Sequence, residues 1–161
     1  MVSIAVEDVR RVAGEVPDPE IPVLTIAELG ILRDVRVDES GGIDIDITPT
    51  YSGCPALDVI REDVQRRVAA SAAGDVRVHV VLSPPWSSDA LSEDARRKLR
   101  EHGVAPPRPR AGLRMALPVA VACPVCGSAR TEEVAHFAGT ACQGLRRCSS
   151  CSEPFQHFKE H

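Results

Sequence analysis

The sequence predicts an α+β fold: helices pack on a small three-stranded mixed sheet, and a small zinc-ribbon-like β domain follows. Two strand-like segments meet at a tight turn, and a third follows an amphipathic helix. Two CxxC pairs lie near the end of the chain, in residues 123–126 and 148–151. With 161 residues, 43% of them apolar, the chain has room for one ordinary domain and a small one.

The N-terminal segment predicts a helix followed by a rigid loop. Valine and alanine recur at helical spacing over residues 4–16, and Ser3 can cap the start of that helix. Three prolines then fall within residues 17–22. Because proline fixes φ and has no amide hydrogen, we expect an ordered loop there and not a helix or a central strand.

The sheet is predicted from three segments. Residues 31–37 and 43–48 flank a Gly-Gly turn, which indicates an antiparallel hairpin. In the second segment isoleucines alternate with aspartates, so one face is apolar and the other is charged. A helix that starts at Pro55 precedes a third strand over residues 76–82, and this order implies a right-handed crossover. The helix has an apolar stripe made of Leu57, Ile60, Val64 and Val68.

A last helix and a linker complete the predicted organisation. Ser92 can cap the helix, acidic residues occupy its first turn, basic residues its last turn, and Gly103 suits the turn that ends it. We therefore assign residues 1–103 to the first domain. Residues 104–118 form a Pro- and Arg-rich linker, and residues 119–161 form the four-cysteine domain.

Charge is unevenly distributed along the chain. Residues 1–91 carry eight basic and sixteen acidic side chains, whereas residues 92–114 carry seven basic and three acidic ones. The acidic first domain argues against a nucleic-acid partner, and a total of five aromatic residues argues against a stacking platform for single strands. The basic stretch is either a docking site for an acidic partner or a solvated helix and linker.

The start of the chain does not resemble a signal peptide, because Met1 to Glu7 lacks both a basic start and an apolar stretch. No apolar run approaches the roughly 20 residues of a membrane helix. We therefore expect a soluble, cytoplasmic protein with no membrane partner. Five of the six cysteines lie in the last 40 residues, and in a reducing compartment such crowding indicates metal binding and not disulfides.

The predicted metal site consists of Cys123, Cys126, Cys148 and Cys151. Each CxxC pair holds an ion from a single turn, and two such turns complete a tetrahedral site. The pairs are separated by 21 residues, just beyond the usual zinc-ribbon spacing of up to about 20. A segment of roughly 45 residues has too little core to fold alone, so a metal supplies stability. Zinc is the predicted ion, and mononuclear iron or an iron–sulfur cluster is the alternative, because four thiolates suit both.

Other residues of this domain have open roles. Cys142 can be a buried apolar side chain, a substitute ligand or a redox thiol. His136 and His157 can in principle replace a ligand, although a surface or packing role suits each of them better. Three aromatic residues are expected to form the core of this small domain: Phe137, Phe155 and Phe158.

Cys54 lies outside this domain, directly before Pro55 and the predicted helix. The free amides at a helix N-terminus lower the pKa of a thiol, which favours a nucleophile or a soft-metal ligand; the alternative is a buried cap. Asp18 and Glu20 flank Pro19, and they can bind a metal or a partner or cap the loop itself. Because no phosphate loop, dinucleotide fingerprint, HExxH motif or His–Asp set is present, we expect no catalysis by the chain alone.

Several of these segments together resemble known families. Residues 1 to about 90 resemble the small iron–sulfur assembly domain family that includes SufT. The pieces that carry this resemblance are Asp18-Pro19-Glu20 with Pro22, Glu28-Leu29-Gly30 and Gly53-Cys54-Pro55. From PPWSSDALSEDARRKLREHGVAPP through CPVCGS to the terminal EPFQHFKEH, the chain is similar to the PaaD family, also called PaaJ. These are accessory subunits encoded with the phenylacetyl-CoA epoxidase of aerobic phenylacetate catabolism.

The resemblance implies a maturation role. That epoxidase system uses a carboxylate-bridged di-iron centre in its oxygenase and a flavin with a 2Fe–2S cluster in its reductase. The implied partners are these oxygenase or reductase subunits and iron–sulfur assembly proteins. Cys54 would bind iron or a cluster transiently, Asp18 and Glu20 would shape its loop, and the four-cysteine domain would dock the target. The alternatives are a structural or regulatory subunit of the epoxidase complex and an electron-carrying iron protein.

Overall fold

A computed structural model describes residues 5–72, 74–108 and 120–160 of the chain. The chain divides into two compact units, residues 1–86 and residues 87–161, each built around one sheet. The predicted α+β class is confirmed. Among the described residues, no helix has the length and apolar character needed to cross a membrane.

The sheet of the first unit has the predicted mixed topology. Its strands are β1 (Leu32–Val37), β2 (Ile43–Ile47) and β3 (Val76–Val80), in the spatial order β1-β2-β3. β1 and β2 are antiparallel with a bulge in β1, and β3 runs parallel to β2 without one. The parallel pair exists because the chain crosses over the sheet through a helix between β2 and β3.

Helices α1 (Val6–Gly14) and α2 (Leu57–Ser71) pack against the sheet and against each other. α2 begins two residues after Pro55, and Ala5 precedes α1 without a side-chain cap. The expected cap Ser3 lies outside the described residues. The three isoleucines of β2 are fully buried, as their alternation predicts. The helices contribute the following buried side chains: Val9 and Ala13 from α1, and Ile60, Val64 and Val68 from α2.

The opposite face of this sheet carries ion pairs. Arg36 makes two hydrogen bonds of 2.7 and 2.8 Å to the carboxylate of Asp46. Arg77 makes two hydrogen bonds of 3.0 Å to Asp44, and the His79 Nε2 atom lies 2.7 Å from the same carboxylate. The aspartates that alternate with the buried isoleucines therefore form a charged outer surface on the strands.

The second unit contains helix α3 (Glu93–Glu101) and a four-stranded sheet in the order β4-β7-β6-β5. β4 is parallel to β7, and the other neighbours are antiparallel. The strands are β4 (Val104–Ala105), β5 (Thr131–Ala135), β6 (Gln143–Cys148) and β7 (Pro154–Phe158). Between the first two of them, residues 109–119 lie outside the described residues.

The boundary region differs from the sequence-based assignment. The sequence predicts α3 at the end of the first domain, but the helix belongs to the second compact unit and contacts β4. Its caps are as expected: the Ser92 Oγ atom accepts a hydrogen bond from the Ala95 amide, and Gly103 has a φ of 74°. The sequence predicts that Val104–Ala105 is part of the linker, but these residues form β4, because they pair with a strand some fifty residues later in the chain. Of the rest of the expected linker, residues 106–108 are described and residues 109–118 are not.

The core of the second unit differs from expectation at one aromatic residue. Phe155 and Phe158 are buried, but the prediction for Phe137 is wrong, because that side chain is 65% exposed. Its ring instead contacts the Lys159 ammonium group, which lies 4.0 Å from the ring centroid, and it meets the His136 ring edge-on. Sequence composition does not distinguish these positions, because the burial of each ring depends on which strand or loop carries it.

Candidate metal centre and thiol site

The four predicted cysteine ligands converge. Their Sγ atoms all lie within 4.8 Å of one another. The Cys123 and Cys151 sulfurs are 3.8 Å apart, and those of Cys126 and Cys148 are 3.6 Å apart. Four sulfurs bound to one ion at about 2.3 Å in a tetrahedron are separated by about 3.8 Å, so this donor set fits a single tetrahedral metal ion.

Tight turns present the two cysteine pairs. In the first, the Gly127 amide donates to the Cys123 carbonyl oxygen over 2.9 Å, and Gly127 has a φ of 73°, which favours glycine. The second turn follows the end of β6, where the Ser150 amide donates to the Cys148 Sγ atom over 3.4 Å. The turns therefore bring the two pairs of sulfurs together, and the second also donates a backbone hydrogen bond to one of them.

The centre is anchored in the core on one side and open on the other. Cys123 and Cys148 are buried in an apolar cluster with Ala105 and Phe155. The second cysteine of each pair is exposed. A metal ion bound here would tie the core of the second unit to two surface turns.

The thiols of the centre do not ionise independently. The Cys151 and Ser150 amides donate to Cys148 and, with the neighbouring thiols, lower the pKa of that thiol to about 6. The Glu153 amide donates to Cys151, but burial and the adjacent sulfurs outweigh it and raise the pKa of Cys151 to about 12. Crowded thiols cannot all lose their protons without a compensating charge, and a divalent cation supplies that charge.

Cys142 and the two histidines of this unit are not members of the four-sulfur group. Cys142 is buried, and its Sγ atom lies 3.3 Å from the Thr140 hydroxyl. His157 is buried in β7, and burial lowers its pKa, while His136 is exposed and lies 3.4 Å from Glu133. Of the roles expected for Cys142, its surroundings fit a packing residue.

The sixth cysteine, Cys54, lies at the carboxyl end of the first unit's sheet, in the loop between β2 and α2. Its amide donates to the Tyr51 carbonyl oxygen over 3.0 Å, and its thiol is half-buried. The Ala56 and Leu57 amides at the start of α2 hydrogen-bond to the thiol, as its position before a helix predicts.

The prediction of a lowered pKa for Cys54 is wrong. Burial raises the pKa of the thiol and outweighs the Ala56 amide, and the charges of Glu20 and Asp18 raise it further. The sequence position identified the amides of the helix, whereas burial and the nearby carboxylates are consequences of tertiary structure. The thiol is therefore protonated at neutral pH when no metal is bound.

The loop that contains Asp18 and Glu20 lies beside this thiol. Asp18 is buried, and its Oδ1 atom accepts hydrogen bonds from the Glu20 amide at 2.8 Å and from the Ile21 amide at 2.9 Å. Burial raises the pKa of Asp18, and these two amides oppose that effect. Asp18 thus caps its own loop, and the charges of both acidic residues act on Cys54.

Tyr51 also belongs to this site, although its place in the sequence predicted no role for it. A Cβ atom at Gly53 would lie 2.9 Å from the Tyr51 Cε1 atom, so the ring folds over the backbone next to Cys54. Tyr51 remains partly exposed. The signal in the sequence is an aromatic residue two positions before a glycine, in a loop that ends at a cysteine.

Two family descriptions match consecutive parts of this chain. "Iron-sulfur cluster assembly protein" matches residues 6–80, which contain the Cys54 site. "PaaD zinc beta ribbon domain" matches residues 109–159, which contain the four-cysteine centre. A crystal structure of a DUF59 domain of unknown function from Bacillus anthracis superposes with a TM-score of 0.55 and 31% identity, covering 58% of this chain and 90% of that one.

The relatives of this chain include an epoxidase subunit and an Fe-S protein maturation factor. The chain is 41% identical to a "Putative 1,2-phenylacetyl-CoA epoxidase" subunit of Escherichia coli K12, over 96% of this chain and 92% of the relative. It is 37% identical to an "Fe-S protein maturation auxiliary factor" of Porphyromonas gingivalis, over 55% of this chain and 85% of that protein. The chain therefore belongs to the PaaD family, with an iron–sulfur assembly domain ahead of a PaaD zinc β-ribbon domain.

Proposed function

We propose that this chain assists the assembly of iron or an iron–sulfur cluster in the 1,2-phenylacetyl-CoA epoxidase system of aerobic phenylacetate degradation. The observation that carries the proposal is the half-buried Cys54 thiol beside Asp18 and Glu20, within the domain that matches the assembly family. The similarity over nearly the whole chain to a subunit of that epoxidase supports the choice of system. The clients would be the oxygenase or the reductase subunit, and iron–sulfur assembly proteins would act as donors.

The surroundings of Cys54 suit a ligand that binds only for a time. The negative charges of Glu20 and Asp18 disfavour the free thiolate, and the same charges favour a bound iron cation. Iron binding would displace the thiol proton, and loss of the iron would restore the neutral thiol. One thiol with a raised pKa therefore releases metal more readily than a preformed set of thiolates.

The second unit would hold a resident zinc ion that supports its fold. Cys123, Cys126, Cys148 and Cys151 fit that ion in geometry and donor type, and bound zinc would neutralise their thiolates. Iron is the alternative occupant, and it would favour an electron-carrying iron protein. Metal analysis with a visible spectrum separates them, because zinc thiolates are colourless and iron thiolates absorb visible light. In the maturation proposal this unit docks the client.

A second candidate function is a structural or regulatory subunit of the epoxidase complex. The observation that favours it is the name of the Escherichia coli relative, which is called a subunit of the epoxidase. The stoichiometry of this chain in the purified complex distinguishes a structural subunit from a maturation factor. A structural subunit remains in the purified active complex in a fixed ratio, whereas a maturation factor is dispensable once the complex has its metal centres.

The test is production of the reductase and oxygenase subunits together with Cys54→Ser or Cys142→Ser variants of this chain. Cys142→Ser is the matched control, because Cys142 is a thiol outside both candidate sites. Iron and acid-labile sulfide are measured per reductase chain, and iron per oxygenase chain. We expect Cys54→Ser to lower the metal content of one client and the control to leave both unchanged. Full metal content in both clients with Cys54→Ser would refute the role of Cys54.

A further inference from the structure

The edges of the two sheets differ in how well they are protected. An unpaired strand edge invites pairing with another chain, and proteins prevent this with bulges, charges or very short edge strands. β1 has a bulge near Asp34 and charged residues along it. β5 has a bulge next to Glu133 and a second glutamate beside it. β4 is only two residues long.

The remaining edge strand, β3, has neither a bulge nor a very short length, and its charged residue Arg77 pairs with Asp44 on the outer face of the sheet. It has five residues, pairs with β2 in unbroken register, and contains no proline. The Asp75 carbonyl oxygen and the Val81 amide bond to β2, so alternation directs the backbone groups of Val78 and Val80 away from that strand. Among the described strands, β2 is the sole neighbour of β3.

Apolar side chains lie along this unpaired edge of β3. Val76 is buried beneath α2, Val78 is half-buried, Val80 is 40% exposed and Leu82 is 61% exposed. The three valines share one face of β3, and Leu82 follows two residues after its end, so apolar side chains continue beyond the area that α2 covers. The exposed row ends at the carboxyl end of the sheet, where the loop of Tyr51 and Cys54 also lies.

We propose that β3 is the docking edge for an extended, basic polypeptide segment of the client protein, which adds a fourth strand beside it. Alternate side chains of such a segment would cover Val80 and Leu82, and its backbone would pair with Val78 and Val80. Identifying the partner as the client rests on the proposed function. The added strand would bring the client to the end of the sheet that carries Cys54.

Charge identifies the partner as basic and as a different protein. Residues 1–86 contain fifteen acidic and eight basic side chains, so this unit attracts a basic segment and repels a second copy of itself. A basic client segment is attracted by the same net charge.

The test is amide hydrogen exchange of the full chain, alone and with the purified metal-free reductase or oxygenase subunit of the epoxidase. We expect one subunit to slow exchange at residues 78–82. Val80→Lys and Leu82→Lys place charges on the edge and should each weaken binding of that subunit about tenfold or more. Val59→Lys is the matched control, because Val59 is an exposed valine on helix α2 of the same unit and lies outside the β3 edge.

Three outcomes would overturn the proposal. One is that neither subunit binds, and another is binding that leaves residues 78–82 unprotected and unaffected by the lysine variants. The third is concentration-dependent protection of these residues in the chain alone, which would assign the edge to a second copy. Because binding to metal-free subunits does not involve cluster transfer, Cys54→Ser separates the two questions. Maturation that needs Cys54 but tolerates Val80→Lys would leave the proposed function intact and remove the docking edge.

Discussion

The two sulfur sites of this chain differ in the number of thiols and in the charges around them. In the second unit four sulfurs lie within 4.8 Å of one another, and backbone amides stabilise the ionised form of Cys148. In the first unit Cys54 is a lone thiol, half-buried beside Glu20 and Asp18, and its pKa is raised. One site is built to keep an ion by its own donor set, whereas the other needs ligands from elsewhere to complete a metal site.

Under the proposed function, this difference gives the four-cysteine site a role in fold stability and Cys54 a role in metal transfer. A complete tetrahedral donor set contributes folding free energy to the unit that holds it, so loss of the ion also loosens the fold. A single thiol adds little to metal affinity, so its unit must fold without metal. The first unit has the larger apolar core, formed by α1, α2 and the buried face of β2. The first unit should therefore tolerate loss of its thiol, and the second should not tolerate loss of any ligand.

The largest expected effect is loss of the second unit's fold when its metal is removed. Structural zinc sites bind with about 10–16 kcal/mol, more than the stability of a domain this small. We expect a strong chelator, or the Cys148→Ser substitution, to abolish amide protection in β5, β6 and β7 while β1, β2 and β3 keep theirs. Hydrogen exchange resolved by peptide measures this.

The Cys142→Ser variant is the control for that experiment, because Cys142 is a buried cysteine directly before β6 that is not one of the four ligands. It should retain one metal ion per chain and most of the protection. If the metal-free second unit kept its full protection, the ion would contribute nothing to its fold, and the contrast between the two sites would disappear.

Much of this organisation can be predicted from sequence, because local pattern determines it. The alternation of Ile43, Ile45 and Ile47 with aspartates predicts a strand with one buried face, and all three isoleucines are fully buried. The spacing of the CxxC pairs likewise predicts four converging sulfurs. In both cases the pattern repeats over short intervals, every second residue in β2 and three positions apart within each cysteine pair.

The features that sequence did not predict depend on distant contacts. The pKa of Cys54 is raised by burial and by the charges of Asp18 and Glu20, which lie more than thirty positions earlier. Phe137 is exposed because its loop leaves the sheet. β4 exists only because it pairs with β7, since two residues have no detectable strand pattern of their own.

A smaller effect is expected from Asp18→Ala, which removes the side-chain acceptor within the acidic loop of the first unit. The substitution leaves the buried Ile21 amide and the Glu20 amide without their acceptor, which should lower the free energy of unfolding of the first unit by about 1–3 kcal/mol. Urea unfolding followed by Trp86 fluorescence reports on this unit, since the buried indole donates to the Leu29 carbonyl oxygen. Asp18→Asn keeps an acceptor oxygen and should cost less. Equal losses for both variants would mean that charge, and not hydrogen bonding, is the main contribution of Asp18.

Acidification should lower the free energy of unfolding of the first unit by a still smaller amount. Hydrogen bonds from His79 and Arg77 lower the pKa of Asp44, and those from Arg36 lower the pKa of Asp46, from their ordinary value of 3.8. A carboxyl with a depressed pKa in the folded state stabilises it above the ordinary pKa, and this contribution is lost as the pH falls through the folded-state value. The raised pKa of Asp18 acts in the opposite direction.

The urea concentration at the unfolding midpoint, measured by Trp86 fluorescence between pH 6 and pH 3, should therefore fall with acidification. The fall should be less steep in about 1 M salt, because the ion pairs are exposed and salt screens them. Asp44→Asn should lower the midpoint at pH 6 and reduce its dependence on pH. A midpoint that rises steadily toward pH 3 would mean that Asp18 outweighs the outer-face aspartates.

The smallest effect concerns the reactivity of Cys54. Because burial and the charges of Glu20 and Asp18 raise the pKa of this thiol above its ordinary value of 9.0, its alkylation by iodoacetamide should be slow at pH 7 and still increase above pH 9. Glu20→Gln removes one of these charges, lowers the pKa and should speed alkylation at a fixed pH. Mass spectrometry of the metal-loaded chain measures the Cys54 peptide separately, while the bound ion protects the other site. Glu15→Gln, at an exposed glutamate that does not act on the thiol, should leave the rate unchanged. Equal rates for Glu20→Gln and the parent would show that the charge of Glu20 does not set the reactivity of Cys54, and Glu20 would lose its electrostatic part in holding a transient iron cation.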